Sequence, residues 1–288
     1  MAALLDQLIS LLSLEKIEEN LFRGQSQDLG WGTVYGGQVI GQALSAALNT
    51  VSPDRQAHSL HAYFLRPGDV SAPIVYEVER TRDGSSFSSR HVKAIQHGHP
   101  IFDMSASFQK REPGFEHQAP MPQVPPPEEV PREQERMKPF ASAFPDFMRE
   151  RVLAEHPIEI RTIAEPDPSM KGTHPPSRAV WLKAVHALPD TPWLHQALLA
   201  YASDFSFITT ALKPHGRTWF TPGMQVASID HAIWFHSDFR ADDWLLHVMD
   251  SPRASGARGL VTGKIFTRTG TLVASTTQVG LIRHRQEV

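Results

Sequence analysis

The chain has 288 residues, of which 41% are hydrophobic and 20% charged, enough for one large domain or two ordinary ones around a substantial core. Its formal charge of −3 and sequence pI of about 6.6 argue against a basic surface that binds nucleic acid. The chain contains no cysteine, which excludes disulfides, thiolate metal sites and a cysteine nucleophile and suits a reducing compartment.

The N-terminal segment, residues 1–14, repeats leucine at helical spacing and predicts a short amphipathic helix that packs on the body of the protein. This segment lacks the basic start of a signal peptide. The longest uncharged stretch, residues 29–53, contains five glycines and several side-chain amides, so it is too polar to span a membrane. We therefore expect a cytoplasmic protein without membrane insertion.

The rest of the chain falls into two arms, residues 21–109 and 179–282, each with a helix followed by strands. The first helix is predicted over 36–49, and the second begins at Thr191-Pro192, a helix-start signal, and extends to Leu212. Apolar residues almost all round the second helix predict that a curved sheet encloses it. Strands are predicted over 59–65, 74–80, 88–96 and 101–109 in the first arm, and over 224–235, 244–249, 259–267 and 272–283 in the second.

An offset of 170 residues relates the two arms. It aligns His61-Ala62 with His231-Ala232 and Met104-Ser105 with Ala274-Ser275, which indicates an internal duplication. A helix followed by several strands, present twice, is typical of an α+β fold with antiparallel sheet.

Proline is concentrated between the arms. Fourteen of the 23 prolines lie between Pro113 and Pro176, which predicts a linker or surface crossing without long helices or central strands. The predicted division is therefore an N-terminal domain at 1–112, a proline-rich segment at 113–178 and a C-terminal domain at 179–288.

Several common catalytic motifs do not occur in the sequence. No Gly-x-Ser-x-Gly elbow supplies a serine nucleophile, and the segment from Gly259 to Lys264 is one residue short of a phosphate-binding loop. His97 and His99 have the spacing of metal ligands, but Gly98 and Pro100 place them in a turn. We expect no metal site.

Asp204 is the most informative residue, because it lies in a strongly apolar helical segment on one stripe with Ala197 and Tyr201. Burying a carboxylate there is costly unless it has partners. The helix of the first arm has no acidic residue, so the fold does not require Asp204. The pattern leaves two interpretations open, a functional group or a helix-terminal cap that is satisfied locally. Ser228 and Gln278, in later strands, could complete a site, although each alone is an ordinary strand residue.

Asp230 and His231 are neighbours on a predicted strand and must point to opposite faces. They therefore cannot act as one acid–base pair, and His61 occupies the place of His231 in the first arm. We expect a structural role for His231.

The sequence resembles the acyl-CoA thioesterase II family over essentially its whole length. The residues that carry the resemblance are Leu14-Glu-Lys-Ile-Glu-Glu19, Leu21-Phe-Arg-Gly-Gln25, Tyr35-Gly-Gly-Gln-Val-Ile-Gly-Gln-Ala43, His61-Ala-Tyr-Phe-Leu-Arg-Pro-Gly68, Tyr201-Ala-Ser-Asp204 and Ile229-Asp-His231. The resemblance implies a tandem, or double, hotdog fold, in which each half is an antiparallel sheet wrapped around a long helix.

The resemblance also implies hydrolysis of fatty acyl-CoA to free fatty acid and coenzyme A at Asp204, Ser228 and Gln278, with Asp204 as general base for water. Relatives carry threonine where this chain has Ser228. No cofactor is expected, because coenzyme A is part of the substrate, and a homodimer or homotetramer is expected. Arg66, Arg90 and Arg258 are candidates for contact with the coenzyme A phosphates.

Two alternatives stay open at this point. One is a non-catalytic module that binds acyl-CoA, which would not need an aligned acid, hydroxyl and amide. The other is a hotdog hydratase or dehydratase. Such enzymes carry an Asp-His pair on one active-site loop or helix, whereas Asp204 is followed by Phe205-Ser206-Phe207, without a nearby histidine.

Overall fold

The computed structural model describes residues 2–143, 149–150, 153–164 and 172–285. Its helices include α1 (Ala2–Leu12), α2 (Gly36–Leu48), α3 (Glu133–Met137) and α4 (Pro192–Ala202). Short 3-10 helices span Pro127–Glu129, Lys138–Ala143 and Ile208–His215.

The strands of the first arm are β1 (Glu15–Glu18), β2 (Leu21–Gly24), β3 (Arg55–Phe64), β4 (Ile74–Asp83), β5 (Phe87–Gln96) and β6 (His99–Lys110). Those that follow are β7 (Ile158–Ile163), β8 (Ser177–Ala184), β9 (Met224–Ser228), β10 (Asp230–Phe235), β11 (Leu245–Ser255), β12 (Arg258–Thr267) and β13 (Leu272–His284). Each predicted strand region is in strand, but the single strand predicted over 224–235 is wrong, because the chain there forms two strands, β9 and β10, separated at Ile229. The strands β1, β2, β7 and β8 were not predicted.

Within the described residues these strands form one antiparallel sheet of 13 strands, in the order β1-β2-β4-β5-β6-β3-β10-β13-β12-β11-β8-β7, with β9 paired to β13. The two arms meet where β3 pairs with β10. His61 lies opposite Ala232, and Ala62 lies opposite His231. The His-Ala pair of one arm is thus paired, antiparallel, with the equivalent His-Ala pair of the other arm. The arrangement confirms the α+β prediction and the relation between the arms.

The offset fails further along the sheet. Ala62 pairs with Met104 on β6, whereas Ala232 pairs with Thr277 on β13. The structural counterpart of Met104 is therefore Thr277, and the sequence match of Met104-Ser105 with Ala274-Ser275 is wrong. The offset between Met104 and its structural counterpart is therefore 173 residues instead of 170, because the loops that precede the two strands differ in length.

Helices α2 and α4 lie inside the curved sheet and pack on each other. Residues 37–47 of α2 and 194–202 of α4 are buried, as the apolar composition of the second helix predicted. Glycine permits the close approach, because a Cβ atom on Gly41 would lie 3.1 Å from the carbonyl oxygen of Ala197. On α1, which was predicted, Leu5, Leu8 and Leu12 face the core.

The second helix is shorter than predicted. It ends at Ala202 instead of Leu212, and Ser206 adopts a left-handed conformation with φ of 57°. A hydroxyl group favours such breaks, and Ser203 Oγ indeed donates to the carbonyl of Ala200 at 2.9 Å. The chain resumes as the 3-10 helix from Ile208. Asp204 therefore follows the helix and does not lie within it.

The described parts of the proline-rich segment pack against the sheet instead of forming a free linker. Its strand β7 pairs with β8 at the edge of the sheet, and the indole of Trp181 donates to the carbonyl of Pro125 at 2.9 Å. Val130 from this segment packs in a small core with Leu246 and Phe266. An edge strand is the place where a proline-rich sequence can join a sheet. The boundaries 1–112, 113–178 and 179–288 stay a prediction.

Neither a membrane-spanning helix nor a metal-binding cluster occurs among the described residues. No helix among them is long and apolar enough to cross a membrane. No group of three or more histidine or acidic residues lies close enough together there to hold a metal ion, and His97 hydrogen-bonds to Asp69 at 2.8 Å.

Candidate active site

Asp204 lies where the C-terminus of α4 meets the N-terminus of α2. A Cβ atom on Gly36 would lie 2.7 Å from Asp204 Oδ2, and the backbone N–H of Gly37 hydrogen-bonds to the carboxylate. The N-terminus of a helix carries partial positive charge, so α2 stabilises the ionised carboxylate, while the carbonyl end of α4 opposes it.

The amide of Gln278 joins the three predicted residues. Its Nε2 donates to Asp204 Oδ1 at 2.7 Å and to Ser228 Oγ at 3.0 Å. Sheet register explains the meeting, because Ser228 on β9 lies opposite Gly280 on β13, two residues from Gln278 and therefore on the same face. The structure thus brings all three predicted site residues together.

The other atom of this amide has no protein partner. Gln278 Oε1 is buried and accepts no hydrogen bond from any residue that the structure describes. Asp204 can only accept, which fixes Nε2 toward it and Oε1 away. The site therefore presents a buried acceptor next to a carboxylate.

Burial raises the pKa of Asp204 above its usual value. Three hydrogen bonds, from Gln278, Gly37 and Ser228, act in the opposite direction because they stabilise the charged form. Desolvation dominates, so this carboxylate is a stronger base than an exposed aspartate.

His231 extends the hydrogen-bond network behind Gln278. Its Nδ1 lies 3.2 Å from Gln278 Nε2, and its Nε2 lies 2.9 Å from Ser203 Oγ. Because Ser203 donates to a carbonyl and Gln278 Nε2 is a donor, the partners assign the proton of His231 to Nε2. Burial lowers the pKa of His231 to about 3, so the ring stays neutral and Nδ1 stays an acceptor.

Asp230 takes no part in this network. Its Oδ1 accepts the backbone N–H of Val279 at 2.6 Å, while its neighbour His231 is buried on the opposite face of β10. The prediction that the two side chains do not share a pocket is confirmed.

Aromatic side chains form a wall beside the carboxylate. Tyr35 stacks on Phe205 with ring centroids 4.9 Å apart, and Tyr201 meets Tyr35 edge-on at 5.2 Å. The hydroxyl of Tyr35 donates to the carbonyl of Tyr201 at 3.1 Å, at the end of α4. Burial first, and then the charge of Asp204, raise the pKa of Tyr35 well above its usual value, so this phenol stays protonated.

The three arginines considered for phosphate binding have different surroundings. Arg90 is buried and donates to Thr50 Oγ1 and Asp83 Oδ1, both at 2.8 Å, so it serves the first arm as a structural group. Arg66 donates to the carbonyl of Pro100 in an exposed position. Arg258 lines a groove at the end of the β11–β12 hairpin.

Comparison with known proteins now bears on this geometry. A family model described as acyl-CoA thioesterase matches residues 147–281, and one described as acyl-CoA thioesterase N-terminal domain matches residues 26–109. The chain is 47% identical to acyl-CoA thioesterase 2 of Haemophilus influenzae over 283 residues, which cover 98% of this chain and 99% of that protein. The chain belongs to the acyl-CoA thioesterase family.

Solved structures agree with this assignment. The enzyme superimposes on an acyl-CoA thioesterase II from Mycobacterium marinum with a TM-score of 0.79 at 41% identity, over 97% of this chain and 99% of that one. A hotdog-fold protein from Alicyclobacillus acidocaldarius gives a TM-score of 0.77 at 22% identity over 97% and 99% of the chains, which shows the fold alone. The tandem hotdog prediction is confirmed, and the enzyme is an acyl-CoA thioester hydrolase.

Sequence reasoning missed several groups of the site. The backbone N–H of Gly37 could not be located without the packing of α2, although the Gly36-Gly37 pair at the helix start was a usable signal. Ser203 and the contact of His231 with Gln278 depend on the end of α4 at Ala202, which the apolar pattern did not reveal.

Proposed function

We propose that Asp204 is the general base of the hydrolysis, removing a proton from a water molecule that attacks the thioester carbonyl of acyl-CoA. Ser228 and Gln278 orient that water. The observation that carries the proposal is the Gln278 amide, which links the partly buried carboxylate of Asp204 to the Ser228 hydroxyl and leaves its own Oε1 as a second acceptor. The two acceptors, the carboxylate and Oε1, can together fix both protons of one water, while Ser228 holds the carboxylate in place.

The proposed hydrolysis has two steps, addition of water and loss of the thiolate. One proton of water passes to Asp204 while the water oxygen bonds to the carbonyl carbon, which gives a tetrahedral oxyanion. The N-terminus of α2, beside Asp204, stabilises negative charge at this place. Collapse breaks the C–S bond, and the leaving thiolate, from a thiol of pKa about 8.5, takes the proton back from Asp204. The products are a carboxylic acid and free coenzyme A.

A variant of this route uses Asp204 as nucleophile through an anhydride. Both routes consume one water and give the same products. Single turnover in ¹⁸O-labelled water separates them, because only the anhydride route leaves labelled oxygen in Asp204. We expect the label in the fatty acid alone.

Asp204→Asn tests the assignment of the base. Asparagine preserves the size of the side chain but cannot accept the proton, so we expect kcat to fall about 100-fold or more. Release of free thiol from acyl-CoA, followed spectrophotometrically, measures the effect. Asp230→Asn is the matched control, since Asp230 is also a partly buried carboxylate with a raised pKa, but it lies on β10 and accepts the backbone N–H of Val279 outside the catalytic cluster. Equal rates for Asp204→Asn and wild type would remove Asp204 from the mechanism.

We also propose that the enzyme works in the cytoplasm as a homodimer or homotetramer. The lack of cysteine supports a reducing compartment. Tyr63 is 58% exposed on the outer face of β3, and Leu65, just after that strand, is 48% exposed, which supports contact with another copy. Light scattering of the purified protein decides the number of subunits, and a monomer at micromolar concentration would contradict the proposal.

A further inference from the structure

A groove of about 340 Å³ lies at the far end of the second arm, outside the catalytic cluster. Its volume falls within the range of about 300–1,000 Å³ that small-molecule sites occupy. The floor is apolar and comes from Leu212 on the 3-10 helix, Met224 on β9 and Ile282 on β13.

The rest of the lining consists of the small residues Ala254, Ser255 and Ala257 and of four larger nitrogen-bearing side chains. His215, Arg217, Arg258 and His284 line the groove, and no acidic residue does. The two arginines, with no carboxylate in the lining, make this groove locally positive in a chain whose formal charge is −3. Such a lining complements a ligand that has an apolar, planar body and several anionic groups.

Within the described part of the chain, the two arginines of this groove have no side-chain partner. Other arginines pair with carboxylates, as Arg268 does with Glu128 at 2.7 Å and Arg240 with Asp242 at 2.9 Å. Neither Arg217 nor Arg258 forms an ion pair or a side-chain hydrogen bond with any residue that the structure describes. Their guanidinium groups keep all their donors for a ligand, and guanidinium binds phosphate in a bidentate geometry.

The two strands that carry the catalytic residues lead into this groove. Met224 and Ser228 lie on the same face of β9, four residues apart, and Ile282 lies on the same face of β13 as Gln278. Four residues of strand span about 13 Å. A ligand that reaches both places must be extended, with its reactive group near Asp204 and its anionic groups near Arg258.

We propose that this groove binds the phosphate-bearing nucleotide end of the acyl-CoA substrate, with Arg217 and Arg258 as its phosphate ligands. The inference rests on the proposed function for its substrate. An acyl-CoA molecule places its thioester and its phosphates at opposite ends of the pantetheine arm, as the separation requires.

Two substrates that differ only in the nucleotide test the proposal. The double variant Arg217→Gln/Arg258→Gln is compared with wild type on an acyl-CoA and on the matching acyl-pantetheine, which has no phosphate. We expect kcat/KM for acyl-CoA to fall about tenfold or more, mainly through KM, because charge-assisted contacts are lost. We expect kcat/KM for acyl-pantetheine to stay unchanged.

Arg283→Gln is the matched control, because Arg283 is an exposed arginine of β13 on the face opposite Ile282 and His284. It should behave as wild type with both substrates. Unchanged acyl-CoA kinetics in the double variant would overturn the proposal, and an equal fall with both substrates would do so as well, since that result indicates a change of structure.

Two further measurements identify the source of the phosphate. Adenosine 3′,5′-bisphosphate should inhibit the wild type competitively against acyl-CoA and should bind the double variant at least about tenfold more weakly in calorimetry. Noncompetitive inhibition would indicate a separate regulatory nucleotide and overturn the assignment to substrate. Binding of wild type to anionic lipid vesicles, lost in the double variant while acyl-CoA kinetics stay normal, would assign the groove to membranes instead.

The outcome for this groove is separable from the outcome for the base. If Asp204→Asn retained full activity, the proposed base would be wrong, while the discrimination between the two substrates would still report on the groove.

Discussion

Asp204 combines two requirements that oppose each other, since catalysis needs an ionised carboxylate and burial favours the neutral acid. The carboxylate is partly buried beside Tyr35 and at the carbonyl end of α4, and desolvation raises its pKa. Only three donors offset the loss of water around it. Active-site groups of this kind reduce the stability of the folded protein in exchange for reactivity.

This conflict predicts how stability changes with pH. Because the pKa of Asp204 is higher in the folded than in the unfolded state, its stabilising contribution is present below the unfolded pKa and is lost as pH rises through the folded value. The melting temperature of Asp204→Asn should therefore rise relative to that of wild type as the pH increases above the unfolded pKa of about 4 and through the higher folded value. Calorimetric scans of both proteins across this range measure the difference, and a constant difference would contradict a raised pKa.

The same ionisation should appear in the rate. The unprotonated carboxylate is the active form, so kcat should decrease as pH falls through a pKa above the usual value for aspartate. The acid limb of the pH–rate profile measures this pKa. A limb at the usual value of an exposed aspartate would show that desolvation does not act on the base.

Ser228 differs from the threonine that we expect in relatives. Threonine adds a methyl group that restricts χ1 and holds the hydroxyl toward Gln278. We expect Ser228→Thr to keep or modestly raise kcat and Ser228→Ala to lower it about tenfold or more, because only alanine removes the hydroxyl. Thiol-release kinetics of the two variants measure the effect. Equal losses of kcat in Ser228→Thr and Ser228→Ala would show that the size of the side chain at this position of β9 matters and that the hydroxyl does not.

At the scale of elements, the site is made by the packing of α2 against α4. The two helices approach closely because Gly37 and Gly41 of α2 have no side chain where Tyr201 and Ala197 present their carbonyl oxygens. This approach places the first turn of α2 on Asp204 and aligns the hydroxyl of Tyr35 with the last carbonyls of α4.

Gly37→Ala tests this contact. The added Cβ would meet the carbonyl oxygen of Tyr201 and the ring of Tyr35, which forces the helices apart and moves the Gly37 N–H from Asp204. We expect kcat to fall about tenfold and the free energy of unfolding to drop by about 1–3 kcal/mol. Kinetics and urea denaturation measure the two effects.

Ser45→Ala is the control on the same helix. Ser45 Oγ is buried and has no hydrogen-bond partner in the described part of the chain. Alanine removes this unsatisfied group and favours the helix, so the variant should be more stable by up to about 1 kcal/mol with unchanged kcat. If Ser45→Ala also lost activity, the effect of Gly37→Ala could not be assigned to its contact with Tyr201, because any substitution in α2 would then lower kcat.

At the scale of the whole molecule, buried histidines set the response to acid. His231 and His247 are fully buried, and desolvation lowers the pKa of each to about 3. The second arm holds both, in contact with Gln278 and with Thr276 respectively. Neither ring can take up a proton in the folded state at the pH at which it does so in the unfolded chain.

The protein should therefore lose stability in mild acid. The contribution of each histidine is present above its unfolded pKa of about 6.5 and is lost as pH falls toward the folded value, by about 1.4 kcal/mol per pH unit once the unfolded ring is protonated. Urea denaturation between pH 7 and about pH 5 should show this slope. His247→Gln should reduce it, and His99→Gln, an exposed hairpin residue, should not.

The amino-acid sequence determined much of this protein on its own. Apolar periodicity and local start and turn signals located α1, α2, the start of α4 and the strands β3 to β6 and β9 to β13, because such signals are local properties of the chain. The strands β1, β2, β7 and β8 of the same sheet were not predicted. The odd position of a carboxylate in an apolar segment singled out Asp204, and family motifs added Ser228 and Gln278.

Tertiary structure decided the rest. The end of α4 at Ala202, the contact of Gly37 with Asp204 and the position of His231 behind Gln278 all result from packing between segments far apart in the chain. The register of β9 against β13 brings Ser228 opposite Gly280 and next to Gln278. Periodicity cannot give that register, because a pattern along one strand does not say which residue of another strand lies opposite, and it is this pairing that assembles the site.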